Sequence, residues 1–509
     1  MIRRLIVPVL LIGVIVAAMV QANRTDDESA PVAAPEAGPP SAGVGTPLLS
    51  VRRTPEWLRR PLSDSLFTSE VAKAAVTPVT PALTCLTVHR DGETIIDRGG
   101  SALFVPASTQ KILTAAAILQ LAEAGDTFVT SVVIRLDSTI DEEGVLDGDV
   151  WLIGGGDPVL STPDYIGRFD EPRAFTDFTD LVDEVAAELT RLGVTTIGGR
   201  IVADESKYSA AERDYTDQIG PDEETPIWKQ SFVDENQVGP LSALLVNDGY
   251  TAWPDDPALR RENTRASDPA EAAADLLGEM LVERGIDVTG GGVNGGAEVP
   301  APLLAERTSL GEIESPPLSD IIARMLQHSD NTTAEMLFKE IGQRSGTVGG
   351  EQRGLAVFAV SGALSDAGYP AVRSTGIADG SGLSSFNETR CRLLVQILDE
   401  AGPDSTLVRS MAVVGESGTL RVCMDGDPTV DNGDVFGKTG TLNDVTALAG
   451  LTVADNGDIL TFAVIANGVG VGTDLGSCNQ IQTTIIDAVA GHPYGPSIDD
   501  LSPLPASVG

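Results

Sequence analysis

Ser108 and Lys111 stand three residues apart in PASTQKILTAAAILQL (106–121). On a helix that spacing puts two side chains on one face, close enough to touch. An amine that gives up its proton easily, next to a hydroxyl, is a general base next to a nucleophile. The structural alternative is that Ser108 caps a helix. A capping box would then want Glu or Gln three residues on. Lys111 instead brings a cation to the positive end of the helix. Shut in by apolar neighbours, it is expected to lose its proton more readily than a free lysine. Of the chain's six lysines (Lys73, Lys111, Lys207, Lys229, Lys339 and Lys438), only Lys111 follows a serine at this spacing.

Two further groups have residue types that sit oddly in their surroundings. Ser329-Asp330-Asn331 precedes TTAEMLFKEIG, an apolar-faced helix start. Alone it reads as a cap, and Ser385-Phe386-Asn387 shows how common the Ser-x-Asn pattern is. Lys438-Thr439-Gly440-Thr441 falls in VFGKTGTL, a strand by pattern, where Lys and Gly are both poor choices. An edge strand would excuse them. The functional reading is a strand lining a cleft, with Lys438 aimed at an anionic group and Gly440 letting substrate lie against the backbone.

The elements that must position these groups are legible in outline. CLTVHR (85–90) and ETIIDRGG (93–100) read as strands around an Asp-Gly turn. The helix expected to open at Ser108 is apolar on most sides, so it should be central and buried. VFGKTGTL, VTALAGLTV and ILTFAVIANG (435–468) read as three more strands, and CNQIQTTIIDAVA (478–490) as a closing helix. Strands from both ends of the chain, with helices between, imply one mixed sheet covered by helices in a multidomain α/β protein. Between them, FVTSVVIRL, GVLDGDVWLIGG and TTIGGRIVA, with the helix FTDLVDEVAAELTRLG, are too long for a loop and imply a strand-rich inserted domain over 127–300. DPAEAAADLLGEMLVERGI (268–286) could belong to either body.

Composition narrows the setting. Asp and Glu number 74 against 34 Lys and Arg, a net charge of −40, which argues against a nucleic-acid partner. MIRR followed by LIVPVLLIGVIVAAMV (5–20) reads as a signal peptide or membrane anchor over 1–22, which would export the rest. The Pro- and Ala-rich stretch 23–54 reads as a flexible linker and 491–509 as a disordered tail. Residues 55–126 and 301–490 then form the two parts of one body around the insert. Four cysteines (Cys85, Cys391, Cys423, Cys478) lack CxxC spacing and the chain has three His, so no metal is expected. Four cysteines allow three pairings, and Cys391 with Cys423 is the expected one because both fall in one segment.

Ser-x-x-Lys, Ser-Asp-Asn and Lys-Thr-Gly in this order are together far rarer than any one alone. With GGGDPVLS (154–161), PLSALLVNDG (240–249) and DGSGLS (379–384), the sequence resembles the low-molecular-mass class C penicillin-binding proteins, the D-alanyl-D-alanine carboxypeptidases/endopeptidases. The large insert between Ser108 and Ser329 is similar to that class too. The resemblance implies the penicillin-recognising serine transpeptidase/β-lactamase-like fold, a mainly antiparallel sheet covered by helices. It implies Ser108 as nucleophile, Lys111 as its base, Ser329 as proton relay and Asn331 as a substrate contact. Lys438, Thr439 and Thr441 would hold the terminal carboxylate, beside Gly440, with the backbone N–H groups of Ser108 and Thr441 as oxyanion hole. Asp379 and Ser381 would support the site from behind, with Gly380 and Gly382 as turn formers. Peptidoglycan stem peptides ending in D-Ala-D-Ala would be substrates and β-lactams covalent inhibitors, with no cofactor. An uncleaved N-terminal segment would add the cytoplasmic membrane as a partner.

The chain departs from the family pattern at Ser385, where many members carry a basic residue. A β-lactamase and a non-catalytic wall-binding scaffold are the alternatives. Class A β-lactamases need an activating Glu in a Glu-x-x-x-Asn pattern, which residues 332–437 lack. A scaffold would be expected to lose Ser108 or Lys111, and both are present.

Overall fold

The computed structural model describes residues 56–74, 84–295, 307–345, 352–423, 435–468, 470–472 and 478–494. The expected N-terminal segment 1–22 and linker 23–54 lie outside them. A six-stranded antiparallel sheet runs in the order Ala412–Val413, Val435–Leu442, Val445–Val453, Ile459–Asn467, Thr84–Arg90, Glu93–Arg98. The two ends of the chain therefore meet in one sheet, as the apolar patterns imply. Val445–Val453 is buried at all but its last residue. Its Ala447, Ala449 and Leu451 face one core and Leu448 the other, the alternation of a strand covered on both sides.

On one face lie the helices Gln110–Leu121, Leu318–Gln327, Asn331–Arg344, Gln352–Asp366 and Cys391–Ala401, which share that core. On the other face lie Glu56–Ala74 and Gln480–Ala490. Residues 491–494, expected as the start of a disordered tail, are ordered, and the rest of that expected tail, 495–509, lies outside the described residues. His492 is buried, its ring edge-on to Phe67, and the Tyr494 backbone donates to Ser63 Oγ at 2.9 Å.

The insert has its own mixed five-stranded sheet, ordered Gly292–Asn294, Ile201–Asp204, Val150–Ile153, Val129–Arg135, Arg307–Glu314. Helix Phe178–Arg191 packs there through Leu181, Val182, Val185 and Leu189, its N-terminus capped by Asp177. Helix Pro269–Glu283, whose allegiance the sequence left open, joins the same core through Ala270, Ala273, Ala274, Leu277 and Leu281. The expected boundary at 300 falls short of this sheet, because Arg307–Glu314 pairs along the whole of Val129–Arg135. An outgoing and a returning strand side by side close the insert, so it is left by the strand adjacent to its entry.

The expected Cys391–Cys423 pairing is replaced by Cys85–Cys391 and Cys423–Cys478. Cys391 opens a helix that lies against strand Thr84–Arg90, where Asp399 also reaches His89. Its nearest cysteine is therefore across the sheet surface, with Cα atoms 6.0 Å apart, and not the one nearer in sequence.

Candidate active site

Ser108 does not open the helix as a cap. It sits in a 3-10 turn, Ala107–Thr109, that runs into helix Gln110–Leu121 without a side-chain cap. The preceding Ala107 has φ 48°, a left-handed conformation that costs an alanine roughly 1–2 kcal/mol. Such strain persists only where the surroundings enforce it. They do so through two glycines. A Cβ on Gly382 would lie 1.9 Å from the Ala107 carbonyl oxygen, and one on Gly440 would lie 2.7 Å from that of Pro106. The DGSGLS loop and the Lys-Thr-Gly strand thus clamp the turn from two directions.

Lys111 is fully buried. Its Nζ lies 3.0 Å from Ser108 Oγ, 2.7 Å from Asn331 Oδ1 and 2.7 Å from the Ser381 carbonyl oxygen. Burial pushes the amine down to about 8, although the charges of Asp379, Glu335 and Asp330 pull it upward. Two of its three neighbours can only accept hydrogen bonds. A neutral amine must donate to those two, which leaves its lone pair facing the Ser108 hydroxyl.

Asn331 joins the three sequence groups to the insert, since its Nδ2 donates to the Gln237 carbonyl at 2.7 Å. Asp330, not Ser329, caps helix Asn331–Arg344 by accepting from the Thr333 N–H. That leaves Ser329 free of capping, half-buried and at φ 57°. Asp330 is held in turn by the fully buried Arg324, which also binds Asp248. Arg324 keeps the Asp330 carboxyl below its usual range despite burial. Tyr165 donates to Asp248 at 2.7 Å, so PLSALLVNDG supplies the far anchor of the Ser-Asp-Asn turn.

Lys438 is fully buried in strand Val435–Leu442 and donates to the Thr439 carbonyl at 2.9 Å. Burial, with the nearby charge of Lys111, holds it well below the ordinary lysine value. Thr439 Oγ1 lies 3.0 Å from Thr419 Oγ1, and Thr441 is exposed. The neighbouring two-residue strand pairs only with Phe436 and Gly437. From Lys438 onward this edge faces the nucleophile turn with no partner strand among the described residues. An extended peptide can add to such an edge.

Behind Lys111 lies a network that sequence reasoning only partly named. Asp379 accepts from Trp228 Nε1, the backbone N–H groups of Gly382 and Ser384, and Asn387 Nδ2. Asn387, from the rival Ser-x-Asn, is thereby structural, and Ser385 is exposed. Glu335, which the sequence analysis missed, accepts from the Ser381 N–H at 2.7 Å and the Gly380 N–H at 3.1 Å. Burial, then the charge of Asp379, pushes its carboxyl up to about 8. Its signal was there to read. Asn331, Glu335 and Lys339 recur every four residues along one face of this helix, a polar stripe whose Glu335 and Lys339 are fully buried.

The D-Ala-D-Ala carboxypeptidase 3 (S13) family model matches residues 71–251 and 250–488. A D-alanyl-D-alanine carboxypeptidase of Actinomadura sp. (strain R39) is 29% identical over 441 residues, covering 74% of this chain and 76% of that protein. Carboxypeptidase DacB of Mycolicibacterium smegmatis is 28% identical over 469 residues, 91% of each. The crystal structure of penicillin binding protein 4 (dacB) from Haemophilus influenzae shares the fold, with TM-score 0.62 and 21% identity over 83% of this chain and 97% of that one. The fold is thus the penicillin-recognising one expected from the motifs, and the family match runs through Ser108, Ser329 and Lys438: the chain belongs to the D-Ala-D-Ala carboxypeptidase 3 (S13) family.

Proposed function

We propose that this protein is a serine-type D-alanyl-D-alanine carboxypeptidase, with endopeptidase action on cross-links, working through an acyl-enzyme on Ser108. The observation that carries the reading is the Lys111 amine, 3.0 Å from Ser108 Oγ, with its other two contacts taken by acceptors. Lys111 removes the Ser108 proton as Oγ adds to the carbonyl of the penultimate D-alanine. The carbonyl oxygen becomes an oxyanion facing the backbone N–H groups of Ser108 and Thr441. An ideal Cβ on Gly440 would lie 3.1 Å from the Ser108 nitrogen, so the two peptides are close neighbours. The C–N bond then breaks, the leaving amine gains a proton through Ser329, and its carboxylate stays on Lys438, Thr439 and Thr441. Water hydrolyses the ester and restores Ser108. Asn331, beside Lys111, contacts the substrate backbone.

A β-lactam enters the same sequence, but its leaving amine stays tethered and deacylation is slow. The Cys85–Cys391 and Cys423–Cys478 bridges favour an oxidising compartment. With the N-terminal segment, they support a location outside the cytoplasm, secreted or anchored at the membrane.

The test is mass spectrometry of the protein after incubation with labelled penicillin, a D-Ala-D-Ala pentapeptide and cross-linked muropeptides. A long-lived adduct on Ser108 and release of D-alanine are expected. Rapid turnover of the drug would make it a β-lactamase, and no adduct would make it a scaffold.

A further inference from the structure

Beside the Ser-Asp-Asn turn lies a cavity of about 250 Å³ lined by Ser329, Asn331, His328, Arg168, Arg173 and Arg260, among others. Whole small-molecule sites usually span about 300 to 1,000 Å³, so this one suits a single side chain. Its charge is out of keeping with a chain of net charge −40. Arg168 is only 8% exposed, yet the sole hydrogen bond of its side chain among the described residues is a 3.4 Å contact to Asn263 Oδ1, and its Nε has no partner. Arg173 Nε is likewise buried without a partner, its guanidinium stacked 4.1 Å over the Phe169 ring. Arg260 is exposed on the rim. None of the three meets a carboxylate at ion-pair distance among the described residues.

The carboxylates that face the cavity are already engaged. Asp248 and Asp330 are both bound by Arg324, and Glu171 nearby pairs with Arg421 at 2.8 Å. Three guanidinium groups therefore remain for an anion that the described residues do not supply. Guanidinium groups suit a carboxylate, which they bind bidentately.

Ser329 links the cavity to the reaction. In the proposed mechanism the leaving nitrogen sits at Ser329, and the carboxylate of the leaving residue turns to Lys438. The remaining substituent on that residue's Cα is its side chain, which can run past Ser329 towards the arginines. A D-alanine methyl ends short of them. We propose that the cavity is a leaving-group subsite for a D-residue whose side chain ends in a carboxylate, the kind of residue a cross-linked peptide strand can present. The proposal rests on the serine acyl-enzyme reading and narrows its substrate class.

The experiment compares the full chain on three peptides with one acyl part and D-Ala-D-Ala, D-Ala-D-Glu or D-Ala-D-Gln ends. The readout is kcat/KM from release of the last residue. D-Glu is expected to be favoured over its neutral isostere D-Gln at least tenfold. Arg173→Gln combined with Arg260→Gln should bring that ratio below threefold, with D-alanine release and penicillin acylation unchanged within twofold. If the double variant loses acylation through misfolding, Arg260→Gln alone, on the exposed rim, should still lower the ratio about threefold. Equal cleavage of the D-Glu and D-Gln peptides by the unmodified protein, or a ratio indifferent to these substitutions, overturns the subsite. In that case penicillin labelling of Ser108 would persist, whereas its absence would overturn the acyl-enzyme reading as well.

Discussion

Lys111 and Lys339 are both fully buried on helices of the same layer, yet they are held in opposite ways. Lys339 meets Glu212 at 2.9 Å, a charge matched by a charge. Lys111 meets a hydroxyl and two acceptor oxygens, and among the described residues no carboxylate lies within ion-pair distance. Burial lowers both, but at Lys339 Glu212 is the chief opposing pull. The contrast extends around each. Near the Ser-Asp-Asn turn, Arg324 is balanced by Asp248 and Asp330, whereas Lys438 meets, among the described residues, only the Thr439 carbonyl. A buried charge without a counter-charge is costly, and the group lowers that cost by giving up its proton. Paired ions hold the shape of the cleft, and the unpaired amines supply its reactivity.

The hardest test of that contrast is Lys111→Ala. Acylation by labelled penicillin should slow by about 10²- to 10⁴-fold, the scale of a lost general base. The thermal midpoint should not fall, because an amine pushed down to about 8 by burial is a liability to the fold. Undiminished labelling would remove the distinction between the two lysines. Arg324→Leu should do the reverse. It leaves Asp248 and Asp330 buried without their partner, which costs about 3 to 5 kcal/mol in denaturant unfolding. A stable Arg324→Leu protein would show that the Ser-Asp-Asn turn is held by something other than this network.

Between these lies the pH dependence. Lys111 acts as a base only when neutral, and its pKa is about 8. The rate of acylation should therefore rise with pH and level off above about 8. At pH 6, two units lower, roughly one molecule in a hundred carries the neutral amine, so the rate should be about a hundredfold lower. A rate flat from pH 6 to 8 would mean that Lys111 is not the titrating base.

Much of this was legible because it is chemically awkward. A lysine in a first helical turn and a Lys-Thr-Gly inside a strand oppose local preference, and both proved to flank Ser108. The three downstream strands were legible from unbroken apolar runs such as VTALAGLTV, which only a doubly covered strand accommodates. Pairings between distant residues were not legible. Trp228 and Asp379 are separated by 151 positions, and Arg324 and Asp248 by 76. Nothing local in either sequence requires the other. The disulfides failed for the same reason, because pairing follows which surfaces pack and not which cysteines are near in the chain. The insert ended late because residues 307–314 carry no pattern of their own stronger than their pairing with 129–135.

The smallest expected effect sharpens the contrast most. If Lys339 serves shape alone, its charge is dispensable once the partner charge goes too. Among the described residues, Lys339→Met alone leaves Glu212 buried with only the 3.3 Å Arg353 N–H and a 3.4 Å Gln218 contact, and should cost several kcal/mol. Adding Glu212→Gln removes the orphaned charge but keeps an oxygen for the Arg353 N–H. A buried ion pair gains little over a neutral pair of similar volume, so the double variant should return to within about 1 kcal/mol of the unmodified protein. Its rate of acylation should be unchanged. No equivalent repair exists for Lys111, since no single charge opposes it and its loss removes the base itself. Recovery of stability without recovery of acylation in the double variant would tie Lys339 to the chemistry after all, and the division between shape-holding and reactive lysines would have to be drawn elsewhere.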